Sequence, residues 1–256
     1  MLFDLRGKRK RLVQVSYAAL AAIFLVGFVG FSIGSGNAPG GLFDALGLTG
    51  DSSGEESVTS QYDAQIEAAN QQLAKNPKDT SALLKLATAE YEKGKTGVSQ
   101  DPETGQISVS SDAHTALGNA VDAWSKYLKV NKGQPNATDA AQLVNAYILL
   151  NDPSGAATTQ EIVAANQPSQ NSYGNLALFR YFAGDISGGD EAAKKAVALA
   201  PKSQRKAVSQ QLDQYRTQAV KQKKQLAKAQ KTAPSPTTPG ANPLASPLGG
   251  VGGSTP

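Results

Sequence analysis

The chain has 256 residues, 40% of them apolar but only 6% aromatic, with alanine the dominant apolar type, a balance that favours closely packed helices over a sandwich or barrel. It has no cysteine and one histidine, His114, which excludes disulfides, thiolate zinc sites, cysteine nucleophiles and multi-histidine metal sites. The net charge of +4 is unevenly spread: residues 1–11 hold five basic groups and one acid, residues 202–231 hold nine and one, and residues 12–201 keep 11 basic against 19 acidic groups. A body built to neutralise phosphates would carry its excess on the folded face, so the basic balance does not point to nucleic acid.

Residues 1–11 form a basic segment with Arg6, Lys8, Arg9, Lys10 and Arg11, followed at Leu12–Ile33 by 22 residues without an acidic or basic side chain. As a helix this run is about 33 Å long, enough to cross the hydrocarbon layer. The competing reading, a cleaved signal peptide, expects a shorter apolar stretch and a small-x-small cleavage site, of which SIGSGNAPG is a poor version. The expectation is a single membrane helix at 12–33. Because positive charge precedes the run and the first charge after it is Asp44, the cluster acts as a topology signal, with the N-terminus cytoplasmic and the bulk extracytoplasmic. Residues 34–60, rich in Gly, Ser and acids, read as a flexible linker with one short apolar island, GLFDALGL.

From residue 61 the period becomes helical. YDAQIEAANQQLAKNP, PSGAATTQEIVAANQP and ISGGDEAAKKAVALAP are each sixteen residues long and end at Pro77, Pro168 and Pro201. The last two are preceded by AAQLVNAYILLND and GNLALFRYFAGD, each with a leucine, a small residue and an aromatic before an aspartate. Pro168 and Pro201 lie 33 residues apart. These segments resemble the tetratricopeptide repeat, a helix-turn-helix unit of 34 residues. On that resemblance, the first-helix pair falls at Leu86 and Ala87, Leu143 and Val144, and Leu176 and Ala177. The turn glycine falls at Gly94 and Gly184, with Asn151 taking its place in the middle unit. LGNAVDAWSKYLKVN offers Ala120 and Trp124 as second-helix positions but has Lys132 where proline belongs, and Val144 and Arg180 also depart from the pattern. Trp124, the only tryptophan, reads as core.

The fold expected is therefore all-α: one N-terminal membrane helix, then a repeat domain over 61–201 of three to four helix pairs stacked as a solenoid. Within it, 95–113 is an inserted loop whose turn formers and QISVS stretch fit either a small hairpin or a mobile loop. Residues 202–231 form a basic helix with Val208, Leu212, Tyr215 and Ala219 at spacings of 4, 3 and 4, suited to cap the solenoid. Its Lys221, Lys223, Lys224, Lys228 and Lys231 are either a solvated helix end or a surface for anions. Residues 232–256 read as a disordered Pro, Gly and Ser tail.

No catalytic or metal constellation and no cofactor fingerprint is found, so the reading is non-enzymatic. The resemblance implies a scaffold that binds polypeptides through a concave face, with groove positions at Thr88, Tyr91, Asn145, Ile148, Asn171, Leu178 and Tyr181. The layout also resembles that of the bacterial ancillary secretory-translocon subunit that works beside membrane-anchored periplasmic foldases. That likeness implies partners among translocon or envelope-assembly proteins and a role in protein export or envelope folding. The alternative is a structural scaffold for cell-envelope or cell-wall machinery.

Overall fold

The computed structural model describes residues 55–101 and 106–232. The basic segment, the expected membrane helix at 12–33, most of the expected linker and the expected tail lie outside these residues. Among the described residues no helix is long and apolar enough to cross a membrane. The eight helices described are α1 (Glu55–Lys75), α2 (Thr80–Thr96), α3 (Ser111–Val130), α4 (Ala137–Leu149), α5 (Pro153–Asn166), α6 (Gln170–Phe182), α7 (Ile186–Leu199) and α8 (Arg205–Thr232). Two short strands, β1 (Val98–Gln100) and β2 (Ile107–Val109), sit between α2 and α3. Residues 55–60, expected in the linker, belong to α1.

Local chemistry sets the helix boundaries. Each helix from α2 to α7 starts at a short polar side chain that accepts from a first-turn backbone N–H: Asp79, Ser110, Asn136, Asp152, Ser169 and Asp185. Ser169 and Ser172 form a reciprocal capping box. Helices α1, α5 and α7 each end two residues before a proline, at Pro77, Pro168 and Pro201, because the ring cannot continue the hydrogen-bond ladder. In α3, which lacks that proline, Asn131 does the stopping: its Oδ1 accepts from the Gly133 N–H at 3.2 Å, and its Nδ2 donates to the Tyr127 hydroxyl at 3.0 Å.

The turns within the second and third pairs are the same object. Asn151 has φ of 57° and Gly184 a φ of 85°, both left-handed, one residue before the aspartate that caps the next helix. Asn151 N–H donates to Ile148 C=O and Asp152 N–H to Tyr147 C=O; Gly184 N–H donates to Tyr181 C=O and Asp185 N–H to Arg180 C=O. This is the Schellman arrangement, and asparagine is the non-glycine residue that tolerates it best.

The first pair is built differently. Gly94 is not a turn residue; it lies inside α2, where a Cβ would come within 2.7 Å of Leu117 Cγ on α3. The connection is instead the antiparallel β1–β2 hairpin, with Val98 opposite Val109 and Gln100 opposite Ile107. Its base is closed by the Ser110 N–H donating to Gly97 C=O at 2.9 Å. Over its described residues, 98–100 and 107–109 of the insert are paired as this hairpin.

Successive helices pack against one another from α1 to α7, and α2 also touches α4. Alanine supplies more than half of the buried apolar residues, so large side chains fill only the spaces between close crossings. One core gathers Tyr91, Leu117, Trp124 and Leu143; a second gathers Leu176, Tyr181, Leu212 and Tyr215; and Val144, Ile148 and Phe179 form a smaller cluster between α4 and α6. Trp124 is fully buried, stacks on Tyr127 with ring centroids 5.1 Å apart, and donates its Nε1–H to Thr159 Oγ1 at 3.2 Å. The described part of the chain up to Val220 forms one compact unit, and Lys221 onward is a separate one.

Candidate peptide-binding face

The first helices of the three pairs, α2, α4 and α6, lie side by side. The Tyr91 hydroxyl of α2 is hydrogen-bonded to the Asn145 side chain of α4, and Ile148 of α4 clusters with Phe179 of α6. Residues three and four apart share one side of each of these helices.

The seven groove positions divide sharply on this framework. Tyr91, Ile148, Leu178 and Tyr181 are buried, with 2%, 9%, 7% and 2% of their surface exposed, and their side chains belong to the packing between helices. They offer little surface outward, so any contact they make with a ligand is small beside their contacts within the fold. Burial pushes the Tyr91 hydroxyl up to about 12 despite the Asn145 hydrogen bond, and burial together with donation to Asp190 raises that of Tyr181. Thr88 and Asn145 are half-buried, and Asn171 is exposed. The Thr88 hydroxyl is engaged with the Leu84 and Lys85 carbonyls at 3.0 and 3.1 Å, so its methyl is what it offers outward.

The stripe that remains accessible runs one residue further along each helix. Glu92, Leu149 and Phe182 are half-buried and stand four residues after Thr88, Asn145 and Leu178. Asn175, half-buried, stands four after Asn171. Together, Thr88, Asn145, Leu149, Asn171, Asn175 and Phe182 make an edge of amides and apolar groups. Glu92 puts a carboxylate at the α2 end of this edge, where it pairs with Lys95 at 2.9 Å, while the α4 and α6 positions carry no charge; Asn171 and Asn175 have both amide donors and acceptors to offer an extended backbone. Sequence reading missed Leu149 and Phe182; the signal for them was a large apolar residue directly after each buried position.

The shift has a local cause. In the second pair, Tyr147 lies against Gly155, whose added Cβ would sit 2.2 Å from the ring; in the third pair Tyr181, not position 180, lies against Gly189, at 2.3 Å. The tyrosine has moved one position relative to the turn. Arg180, at the position it vacates, donates to Gly188 C=O at 3.0 Å and pairs with Glu161.

Two further features frame the face. Asp190 accepts from the Tyr181 hydroxyl at 2.9 Å and from Arg216 Nε at 2.8 Å, tying α6 and α7 to α8. Burial would raise the Asp190 carboxyl, but these donors outweigh it and hold it below its ordinary range. On α3, α4 and α5 lies a cleft of about 380 Å³ lined by Ser125, Lys129, Tyr147, Ser154 and Thr158. Of its hydroxyls, that of Thr158 donates to the Ser154 C=O at 3.1 Å. Among the described residues no group of acids and histidines is placed to hold a metal ion. On α8, Lys221, Lys223 and Lys224 are exposed, while the side chains of Lys228 and Lys231 lie outside the described ones. Arg6, Lys8, Arg9, Lys10 and Arg11, the expected topology signal, lie outside the described residues altogether.

No family model matches the chain, and no curated protein matches its sequence. Among solved structures, one titled as the crystal structure of MamA is similar at 16% identity, covering 70% of this chain and 98% of that chain with a TM-score of 0.38. Similarity of that extent says nothing of what this chain binds.

Proposed function

We propose that this chain is a non-enzymatic scaffold that binds polypeptides along the edges of α2, α4 and α6 and is tethered to a membrane by residues 12–33. The observation that carries the binding reading is the uncharged row of Asn145, Asn171 and Asn175 interleaved with Leu149 and Phe182 on neighbouring first helices. Side-chain amides pair with the donors and acceptors of an extended backbone whatever its sequence, and the apolar groups between them take alternate side chains. Stacked helix pairs expose such an edge over several units, which suits an elongated ligand better than a compact one. The tether rests on the uncharged 22-residue run and the basic cluster before it. Within this class, the order of basic start, span and repeats supports an ancillary role in protein export or envelope protein folding.

Photo-crosslinking in intact membranes tests the reading. A crosslinker at Asn171 is expected to capture polypeptides, while one at Thr158, on the cleft side, is expected to capture none. Translocon components or emerging secreted chains among the captured species support the export role, and cytoplasmic proteins alone end it. Protease digestion of spheroplasts and inverted vesicles checks the topology: the repeats should be cut in spheroplasts only.

A further inference from the structure

The chain's last 36 residues hold five lysines and no acid, and every lysine lies in α8. Lys221, Lys224, Lys228 and Lys231 are spaced 3, 4 and 3 apart, so at about 100° per residue they fall within roughly 80° of one another on one side of the helix. Lys221 and Lys224 are exposed, and neither takes part in an ion pair among the described residues. This stripe does not belong to the packed part of α8, which uses Val208, Leu212, Tyr215 and Ala219. The one large apolar residue beyond Lys221 within the helix is Leu226. It is two residues from both Lys224 and Lys228 and so falls on the opposite side. With Val220 the one large apolar residue near the stripe and no broad apolar face beside it, the expected mode of binding is adsorption by charge.

We infer that the stripe Lys221–Lys231 docks on the headgroups of anionic phospholipid in the membrane that holds the chain. The inference rests on the tethered reading above. Residues 34–54 separate the apolar run from α1, a stretch of 21 residues whose root-mean-square reach is about 25 Å when flexible. The folded body is therefore held within tens of ångströms of the bilayer, where a weak charge attraction becomes effectively intramolecular. Each lysine near an anionic surface contributes about a fivefold gain in partitioning, and four on one side suffice to fix an orientation. The attraction decays over a Debye length of about 8 Å at physiological salt, so it acts only in close approach.

The test uses the full chain in vesicles. Because the chain lacks cysteine, Gln225→Cys gives a single labelling site, and a quencher on the lipid headgroup reads the distance of α8 from the bilayer. With phosphatidylcholine vesicles containing phosphatidylglycerol, strong quenching is expected, falling to the pure phosphatidylcholine level at about 0.5 M salt, where the Debye length is only a few ångströms. Replacing Lys221, Lys224, Lys228 and Lys231 by Gln should abolish the quenching, and replacing them by Arg should keep it. Equal quenching with and without phosphatidylglycerol, or in the Gln variant, overturns the inference. So does displacement of α8 by soluble polyphosphate at a charge concentration below that of the lipid, which would make an anionic polymer the partner. Extraction of the chain by alkaline carbonate would refute the tether alone. Co-sedimentation of the extracted chain with the same vesicles then decides the lysine stripe by the same charge dependence.

Discussion

The first and third helix pairs reach the same packing by different local means. In the third pair, a tight turn at Gly184 and a proline stop at Pro201 set the ends, and Gly189 lets Tyr181 lie flat on α7. In the first pair the turn is replaced by the β1–β2 hairpin and the proline by Asn131, yet Gly94 still admits Leu117 at the crossing. What the two share is a glycine where backbones come closest. The unit is therefore defined by the crossing of its helices, and the connection between them is free to vary.

The comparison can be broken most severely at Trp124, which fills the core of the first pair. Trp124→Ala should cost about 3–5 kcal/mol. Because helix pairs contact mainly their neighbours, hydrogen exchange should show α2–α5 losing protection while α6 and α7 keep most of theirs. Equal loss throughout would mean that the two regions are one cooperative block. The glycines come next. Gly155→Ala and Gly189→Ala each drive a methyl into a tyrosine ring and should cost about 1–3 kcal/mol by denaturant titration. Gly118, in the same first pair but with nothing within 4 Å of an added Cβ, should gain about 0.5–1 kcal/mol as Ala. A loss at Gly118 or a gain at Gly189 would separate stability from the crossing geometry.

The turns give a smaller contrast. Gly184→Ala forces a side chain into the left-handed region and should lower stability by about 1–2 kcal/mol, whereas Asn151→Gly relieves the same position in the second pair and should be neutral or stabilising by under about 1 kcal/mol. The smallest effect is expected at Glu90, buried in the first pair and hydrogen-bonded by Asn119 Nδ2 at 3.1 Å. Burial raises its carboxyl above the ordinary value, so the fold favours the protonated form and loses stability as pH rises through the carboxylate range. Glu90→Gln should remove that loss, a gain of a few tenths to about 1 kcal/mol at neutral pH that vanishes in acid. A gain that persists below the carboxylate range would assign it to packing.

Much of this architecture was legible in the residues. Pro77, Pro168 and Pro201 marked three helix ends because proline can stop a helix but cannot continue one, and Asn151 stood in for glycine because it tolerates a positive φ. Trp124 was legible as core. The accessible face was legible only to within one residue. The resemblance placed contacts at Ile148 and Tyr181, but Phe179 covers the first and Gly189 receives the second, so the outward stripe passes through Leu149 and Phe182 instead. Such a shift depends on how two helices roll against each other, which no single-chain pattern encodes. Gly94 was misplaced for a related reason: a glycine needed for a turn and one needed for a close crossing look alike until the partner, Leu117, is known.

The most direct check on the binding face uses the polypeptide captured by crosslinking and measures its Kd for the full chain. Asn171→Ala combined with Asn175→Ala should weaken binding tenfold or more, and Ser154→Ala combined with Thr158→Ala on the cleft side should leave it unchanged. Unchanged affinity in the asparagine variant, or a loss confined to the cleft variant, would contradict the assignment of the first-helix edges as the binding surface.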